Sequence, residues 1–353
     1  MDYTPHLKKI LSLAVEEQAS DLLISAGSKP MVRITGTLAP LATEKKLNTE
    51  ETKGLAFALM NDAKREKFLK DQEIDFSYDF EGKARFRVNA FFQRQSISIA
   101  LRLIPSEIRN IEALKLPSVL HEFTKRASGL VLITGPSGHG KSTTMAALID
   151  EINHTKEAHI ITIEDPIEYI FTNDRSLIEQ REILSDTANF SIALRASFRQ
   201  NPDVIMVGEM RDLETIATAL TAAETGHLVF ATLHTSSAAQ SVHRIIDVFP
   251  AEQQNQIRFQ LAGSLVGVVS KRLVPRVAGG FAPACEIMIN TTAVANLIRE
   301  NKTHEIGTII ESSAQEGMIS LNRSLADLVA RNEISLKDAL DHSPNPLELK
   351  NFV

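Results

Sequence analysis

The chain has 353 residues, 43% of them apolar and 23% charged, which excludes collagen-like, low-complexity and wholly disordered classes and leaves room for two domains. Lys plus Arg number 38 against 44 Asp plus Glu, and the net charge of −6 argues against direct nucleic-acid binding through a broad basic surface. The one cysteine, Cys285, rules out an intrachain disulfide or a CxxC zinc ribbon and is expected to be a small buried hydrophobe.

At the start, Leu7, Ile10, Leu11 and Ala14 recur at helical spacing, so an amphipathic helix is expected. The apolar residues there are spaced and position 2 is acidic, unlike a signal peptide, and no segment approaches 18 uninterrupted apolar residues. The expected location is the cytoplasm. LLISAG and MVRITGTLAPL read as two strands, residues 49–70 as helical, and IDFSYDF and RFRVNAFFQRQSISIALRLI as antiparallel strands with a turn at Gly82. Residues 1–105 are therefore expected to form an α+β domain closed by Pro105, with a linker at 106–117. From 118 to 353 the order becomes alternating helix and strand. LVLIT, HIITIED, DVIMVGE and HLVFATL are continuous apolar runs, the pattern of a mostly parallel sheet covered on both faces. Beyond about residue 255 the expected structure is mostly helical.

GPSGHGKST follows the first of those strands and opens a helix, matching the phosphate-loop pattern GxxxxGK[ST]. Gly135, Pro136, Ser137, Gly138, His139, Gly140, Lys141, Ser142 and Thr143 are the expected nucleotide-binding residues. Glycines free the backbone amides to face phosphate oxygens, the helix start adds its positive end, Lys141 reaches the β- and γ-phosphates and Ser142 offers a hydroxyl to Mg²⁺. The cofactors expected are ATP and Mg²⁺. Glu209, at the end of the run Val204–Val207, is the candidate general base and contacts the metal through water. Glu164, Asp165 and Glu168 form a second acidic group. His234 follows the strand HLVFATL at the end where α/β sheets bind ligands and is placed to sense the γ-phosphate, whereas His227 precedes that strand. Arg195, Arg199 and Arg211 flank the Glu209 strand, and Arg85, Arg87 and Arg102 lie on the long N-terminal strands. The residues alone leave open which arginines reach a phosphate and which glutamate takes the proton.

Taken together, SDLLISAG, ARFRVNAF, GPSGHGKST, TIEDPIEY, VIMVGEMRDLETI, TGHLVFATLHT, VFPAEQ, EIMI and NLIRE resemble the secretion and pilus motor ATPases, a branch of the RecA-like P-loop NTPases, and most of all the type IV pilus retraction (PilT) family. The resemblance implies an α/β fold with a PAS-like N-terminal domain and a RecA-like ATPase domain. It implies Glu209 as catalytic glutamate, Glu164 and Glu168 as aspartate-box acids, His227 and His234 as histidine-box residues, and Arg195, Arg199 and Arg211 as arginines near the nucleotide. It further implies a homohexameric ATP-hydrolysing motor that drives pilus retraction and twitching motility. The implied partners are an inner-membrane pilus platform protein, at whose cytoplasmic face the motor docks, and a paralogous pilus ATPase. The alternatives are an accessory PilU-type paralogue, a related secretion or DNA-uptake motor, and a weakly hydrolysing ring adaptor. Two positions depart from the family pattern. His139 stands where a small residue such as Ser is usual, and Ala295 in AVANLIRE stands where AIRNLIRE has Arg.

Overall fold

The structure, a computed structural model, describes residues 2–34, 36–104 and 107–353. Pro105 and Ser106, where the first domain was expected to close and the linker to begin, lie outside the described residues. The chain divides into two compact units, the first being Met1–Glu107 with Pro166–Ile170 and the second Ile108–Asp165 with Phe171–Val353.

In chain order the first unit contains α1 (Thr4–Glu16), β1 (Asp21–Ile24), β2 (Met31–Ile34), β3 (Thr37–Pro40), α2 (Thr49–Ala58), α3 (Asp62–Asp71), β4 (Glu73–Phe80), β5 (Ala84–Gln93) and β6 (Ser96–Ile104). The strands form one antiparallel sheet in the order β3-β2-β1-β6-β5-β4. MVRITGTLAPL, expected as one strand, is the two strands β2 and β3. The helical spacing on α1 puts Leu7, Ile10, Leu11 and Ala14 into the core with Leu22, Val88 and Leu101. Asn48 and Glu51 form a reciprocal capping box that starts α2. On β5 the alternation is strict at its centre. Phe86, Val88 and Ala90 are buried, and Arg85 and Arg87 share the other face.

The second unit contains α4 (Leu120–Thr124), β7 (Gly129–Thr134), α5 (Lys141–Thr155), β8 (His159–Glu164), β9 (Leu177–Glu182), α6 (Phe190–Ser197), β10 (Val204–Val207), α7 (Leu213–Glu224), β11 (Leu228–Leu233), α8 (Ala238–Asp247), α9 (Ala251–Ser264), β12 (Leu265–Pro275), β13 (Phe281–Ile289), α10 (Thr292–Arg299), α11 (Ile306–Ser312), α12 (Leu321–Ala330), α13 (Leu336–His342) and α14 (Pro346–Leu349). Its sheet order is β13-β12-β7-β11-β10-β8-β9, parallel throughout except for the β12–β13 pair. Every residue of β7, β10 and β11 is buried, as continuous apolar runs require when helices cover both faces.

The helical reading of the chain beyond residue 255 is corrected at 265–289, which is the hairpin β12–β13, and helices resume only at Thr292. No Pro, Asn or Asp separates the end of α9 from β12, and the helix passes into the strand without a connecting loop. Ile111 and Leu116, in the stretch expected as a linker, are buried in the second unit. Cys285 is fully buried, and burial pushes its thiol up to about 11. Ala295 is 7% exposed in the main core, so no side chain projects from that position of α10.

Candidate active site

The carboxyl ends of β7, β8, β10 and β11 lie side by side, and each delivers part of the site. β7 ends at Thr134 and the chain turns through Gly135–Gly140 into α5. Gly135 has φ +141°, and a Cβ there would collide with the Lys271 carbonyl oxygen of β12. Gly138 and Gly140 also have positive φ, at 79° and 77°. Unlike α6, α7 and α8, which begin on Asn189, Asp212 and Ser237 side-chain caps, α5 starts on Gly140 with no side-chain cap. Its first-turn amides therefore face the loop, the arrangement that binds phosphate. Ser142 and Thr143 lie in that first turn. Lys141 Nζ donates to the carbonyl oxygens of Gly135 and Pro136 at 2.8 and 3.0 Å, which folds the ammonium over the loop.

Glu209 follows β10 and His234 follows β11, and the parallel pairing of those strands makes the two neighbours. His234 Nε2 is 3.1 Å from Glu209 Oε1, and His234 Nδ1 is 3.4 Å from both Lys141 Nζ and Ser137 Oγ. Nε2–H donates to the carboxylate and Nδ1 lies against the loop, so His234 bridges the phosphate loop to Glu209. Arg211 Nη2 holds the other carboxylate oxygen, Oε2, at 2.7 Å. Burial pushes the Glu209 carboxyl up, but Arg211 and His234 together outweigh it and hold the group below its ordinary value. Glu209 is accordingly a carboxylate at neutral pH.

Glu164, at the end of β8, is buried and accepts from Thr162 Oγ1 at 2.6 Å and Gln180 Nε2 at 3.1 Å. It stands beside the Glu209 strand because Gly208 allows the two backbones to approach. A Cβ at Gly208 would lie 3.1 Å from the Ile163 carbonyl oxygen and 3.3 Å from Glu164 Cα. Asp165 follows and contributes to the field on Arg211.

Other predicted residues sit elsewhere. Arg195 pairs with Glu214 of α7, and Arg199 is exposed just beyond α6. Glu168 belongs to the first unit, where Arg87 Nη1 lies 3.6 Å from its Oε1. Arg85 donates to Ser77 Oγ and Arg102 pairs with Asp21 at 3.1 Å. His227 is at the opposite end of β11, with Nδ1 3.1 Å from the Ala222 carbonyl oxygen and its ring tilted against Phe198.

A family model described as "Type II/IV secretion system protein" matches residues 3–333. The type IV pilus retraction ATPase PilT of Pseudomonas aeruginosa is 45% identical over 340 residues, 96% of this chain and 98% of that protein. This chain is a PilT-family type II/IV secretion ATPase. The PilU ATPase of the same organism is 40% identical over 98% of this chain and 91% of its own length, and YggR of Escherichia coli K12 is 43% identical over 93% and 100%. A crystal structure of the pilus retraction motor PilT with bound ADP superposes with a TM-score of 0.91 at 46% identity, covering 98% of both chains. Identities this close together place the ATPase among PilT- and PilU-like motors without separating the two.

A region of the ATPase that the sequence motifs did not mark adjoins its phosphate loop. A cavity of about 180 Å³ runs from Gly140 and Thr143 past Arg109, Lys115, Lys271, Arg276 and Phe281. Lys271 is 3% exposed, and its Nζ donates to the Gly140 carbonyl oxygen at 3.2 Å and to Thr144 Oγ1 at 2.9 Å. Burial pushes its ammonium below the ordinary lysine value. The signal available in the sequence was a lysine inside the apolar run LVGVVSKRLV, a position where lysine is rarely buried without a specific partner. The collision at Gly135 gives one test. Gly135→Ala is expected to cost about 2 kcal/mol or more and to lower the Tm of the ATPase by about 5 °C, read by calorimetry. An unchanged Tm would show that the loop tolerates a side chain there.

Proposed function

We propose that the protein is a homohexameric, Mg²⁺-dependent ATPase whose cycle drives type IV pilus retraction and hence twitching motility. The observation that carries the reading is the chain of contacts Lys141–His234–Glu209 at the carboxyl ends of a parallel sheet, in a chain 45% identical to a pilus retraction ATPase. The loop amides and Lys141 hold the phosphates, and the cavity beside Thr143 takes the base and ribose. Glu209 orients and polarises the attacking water, and His234 couples the loop that holds the γ-phosphate to that carboxylate. Arg211 shares the Glu209 carboxylate and fixes its orientation. Glu164 supports the same strand ends from β8, Arg199 is left for a neighbouring subunit, and Arg195 would reach one on leaving Glu214.

The donor set suits Mg²⁺. Among the described residues no group of three or more Asp, Glu, His or Cys side chains is arranged around a metal, and Mg²⁺ is commonly held by one or two protein oxygens, water and substrate phosphates. Ser142 and, through water, Glu209 would hold it, and the ion would neutralise charge on the phosphate oxygens. No helix among the described residues is long and apolar enough to cross a membrane, which fits docking on the cytoplasmic face of an inner-membrane pilus platform protein.

Ala295 supports a second reading. It replaces the arginine of the retraction motif and is buried, so an accessory PilU-type motor working beside a paralogous ATPase is the alternative. The discriminating measurement is a count of surface pili by electron microscopy on cells whose only copy carries Lys141→Ala. The retraction reading expects many pili on cells that no longer twitch. Bald cells would overturn it, and unchanged piliation and movement would favour the accessory role.

A further inference from the structure

β12 pairs with β7 as far as Ser270 opposite Thr134. There β7 ends and the chain turns into the phosphate loop, while β12 runs on to Pro275. On its other edge Leu273 stands opposite Pro283 of β13, a residue with no N–H. The Leu273 N–H is directed to the edge that β7 has vacated and donates to His139 Nδ1 at 2.9 Å. The imidazole thus takes the place of the carbonyl that a continuing β7 would have supplied. The adjacent loop residue, Gly140, is held by Lys271 from the same strand. Nδ1 accepts, so the ring proton is on Nε2 and the ring is neutral; a protonated ring would set N–H against N–H.

We propose that His139 is a positioning residue whose neutral ring latches the phosphate loop to β12 and thereby sets the nucleotide affinity of this chain. The inference rests on the reading of Gly135–Thr143 as the phosphate-binding loop. The His139 N–H donates within the loop to the Pro136 carbonyl oxygen at 3.4 Å, so fixing its side chain fixes this turn and the direction of the Gly140 N–H that follows. Burial disfavours the charged ring. So do the groups that face it from each packed element: His342 of α13, Arg272 and Lys271 of β12, and Lys141 of α5. Together they hold His139 below its ordinary value. The sign follows directly. The latch is complete above the folded value and is lost as pH falls through it, below about pH 6.5.

The test uses the purified full chain, with ADP affinity by titration calorimetry and the KM and kcat of steady-state ATP hydrolysis. Three variants are compared with the parent: His139→Ser, His139→Asn and Lys141→Ala. The Asn side-chain oxygen reaches close to where Nδ1 lies and accepts the same N–H without titrating. His139→Ser is expected to weaken ADP binding and raise KM about fivefold, the value of one hydrogen bond, with a smaller change in kcat. His139→Asn is expected to restore both at about pH 7.5. As pH is lowered to about 5, the parent should lose affinity relative to His139→Asn, the nucleotide's own titration cancelling in the ratio. Parent-like affinity in His139→Ser, or failure of His139→Asn to restore it, overturns the latch. A parent-to-Asn ratio that stays constant overturns the neutral ring as its active form. Lost binding in Lys141→Ala beside parent-like His139→Ser removes the latch alone. Retained binding in Lys141→Ala removes the phosphate-loop reading beneath it.

Discussion

Purified Glu209→Gln protein is expected to bind ATP as the parent does while hydrolysing it about 10²–10⁴ times more slowly. The amide is nearly isosteric and its oxygen can still accept from His234 Nε2–H, which lies 3.1 Å from Oε1. The change removes the negative charge that orients and polarises the water. It also removes the ion pair to Arg211, but that arginine is 67% exposed and its loss should cost little stability. Phosphate release is therefore the quantity to measure, alongside ATP affinity. Normal release would refute Glu209 as the general base and leave Glu164 and Glu168 as the acids to test. Slow release together with lost ATP affinity would mean that Glu209 organises the phosphate loop through His234 rather than acting on water.

Lys141→Ala is expected to weaken nucleotide binding about 100-fold or more, since a charge-assisted contact to phosphate and the ammonium that bridges two loop carbonyls go together. A nucleotide that binds only the folded chain raises its Tm with concentration. In the parent, millimolar ADP should raise Tm, and in Lys141→Ala that rise should vanish while the nucleotide-free Tm stays nearly the same. Retention of the shift would show that the nucleotide is held elsewhere than at Gly135–Thr143, and the phosphate-loop reading would fail.

The parts of this molecule that were legible in the sequence are those fixed by local pattern. β7, the glycine spacing and α5 form one uninterrupted segment, and β10 and β11 are apolar runs with a functional residue at the end of each. β9 was not legible, because LIEQRE is a polar edge strand recognisable only by its pairing with β8. β12 was not legible because it follows α9 with no connecting loop, only Gly263 and Ser264 marking the junction from within the helix, and carries Lys271 and Arg272 within it. The order of strands in the sheet has no local signature either. For that reason the Glu209–His234 contact, which depends on β10 lying beside β11, emerged only from the fold. Arg195 reads in sequence as readily for a phosphate as Arg211 does, yet Glu214 of α7 engages the first and Glu209 the second. His139 showed only as a departure from a family pattern, since its partner Leu273 lies 134 residues away.

The strip Pro166–Ile170 makes the first unit discontinuous in the sequence. The chain passes between units three times, at Glu107/Ile108, Asp165/Pro166 and Ile170/Phe171. A shortened chain beginning at Ile108 would still contain that strip but not the residues it clusters with, among them the arginine that faces Glu168. Exchange of N-terminal units between related motors therefore has to carry these five residues with the graft, and a cut made at one point in the sequence separates neither unit intact.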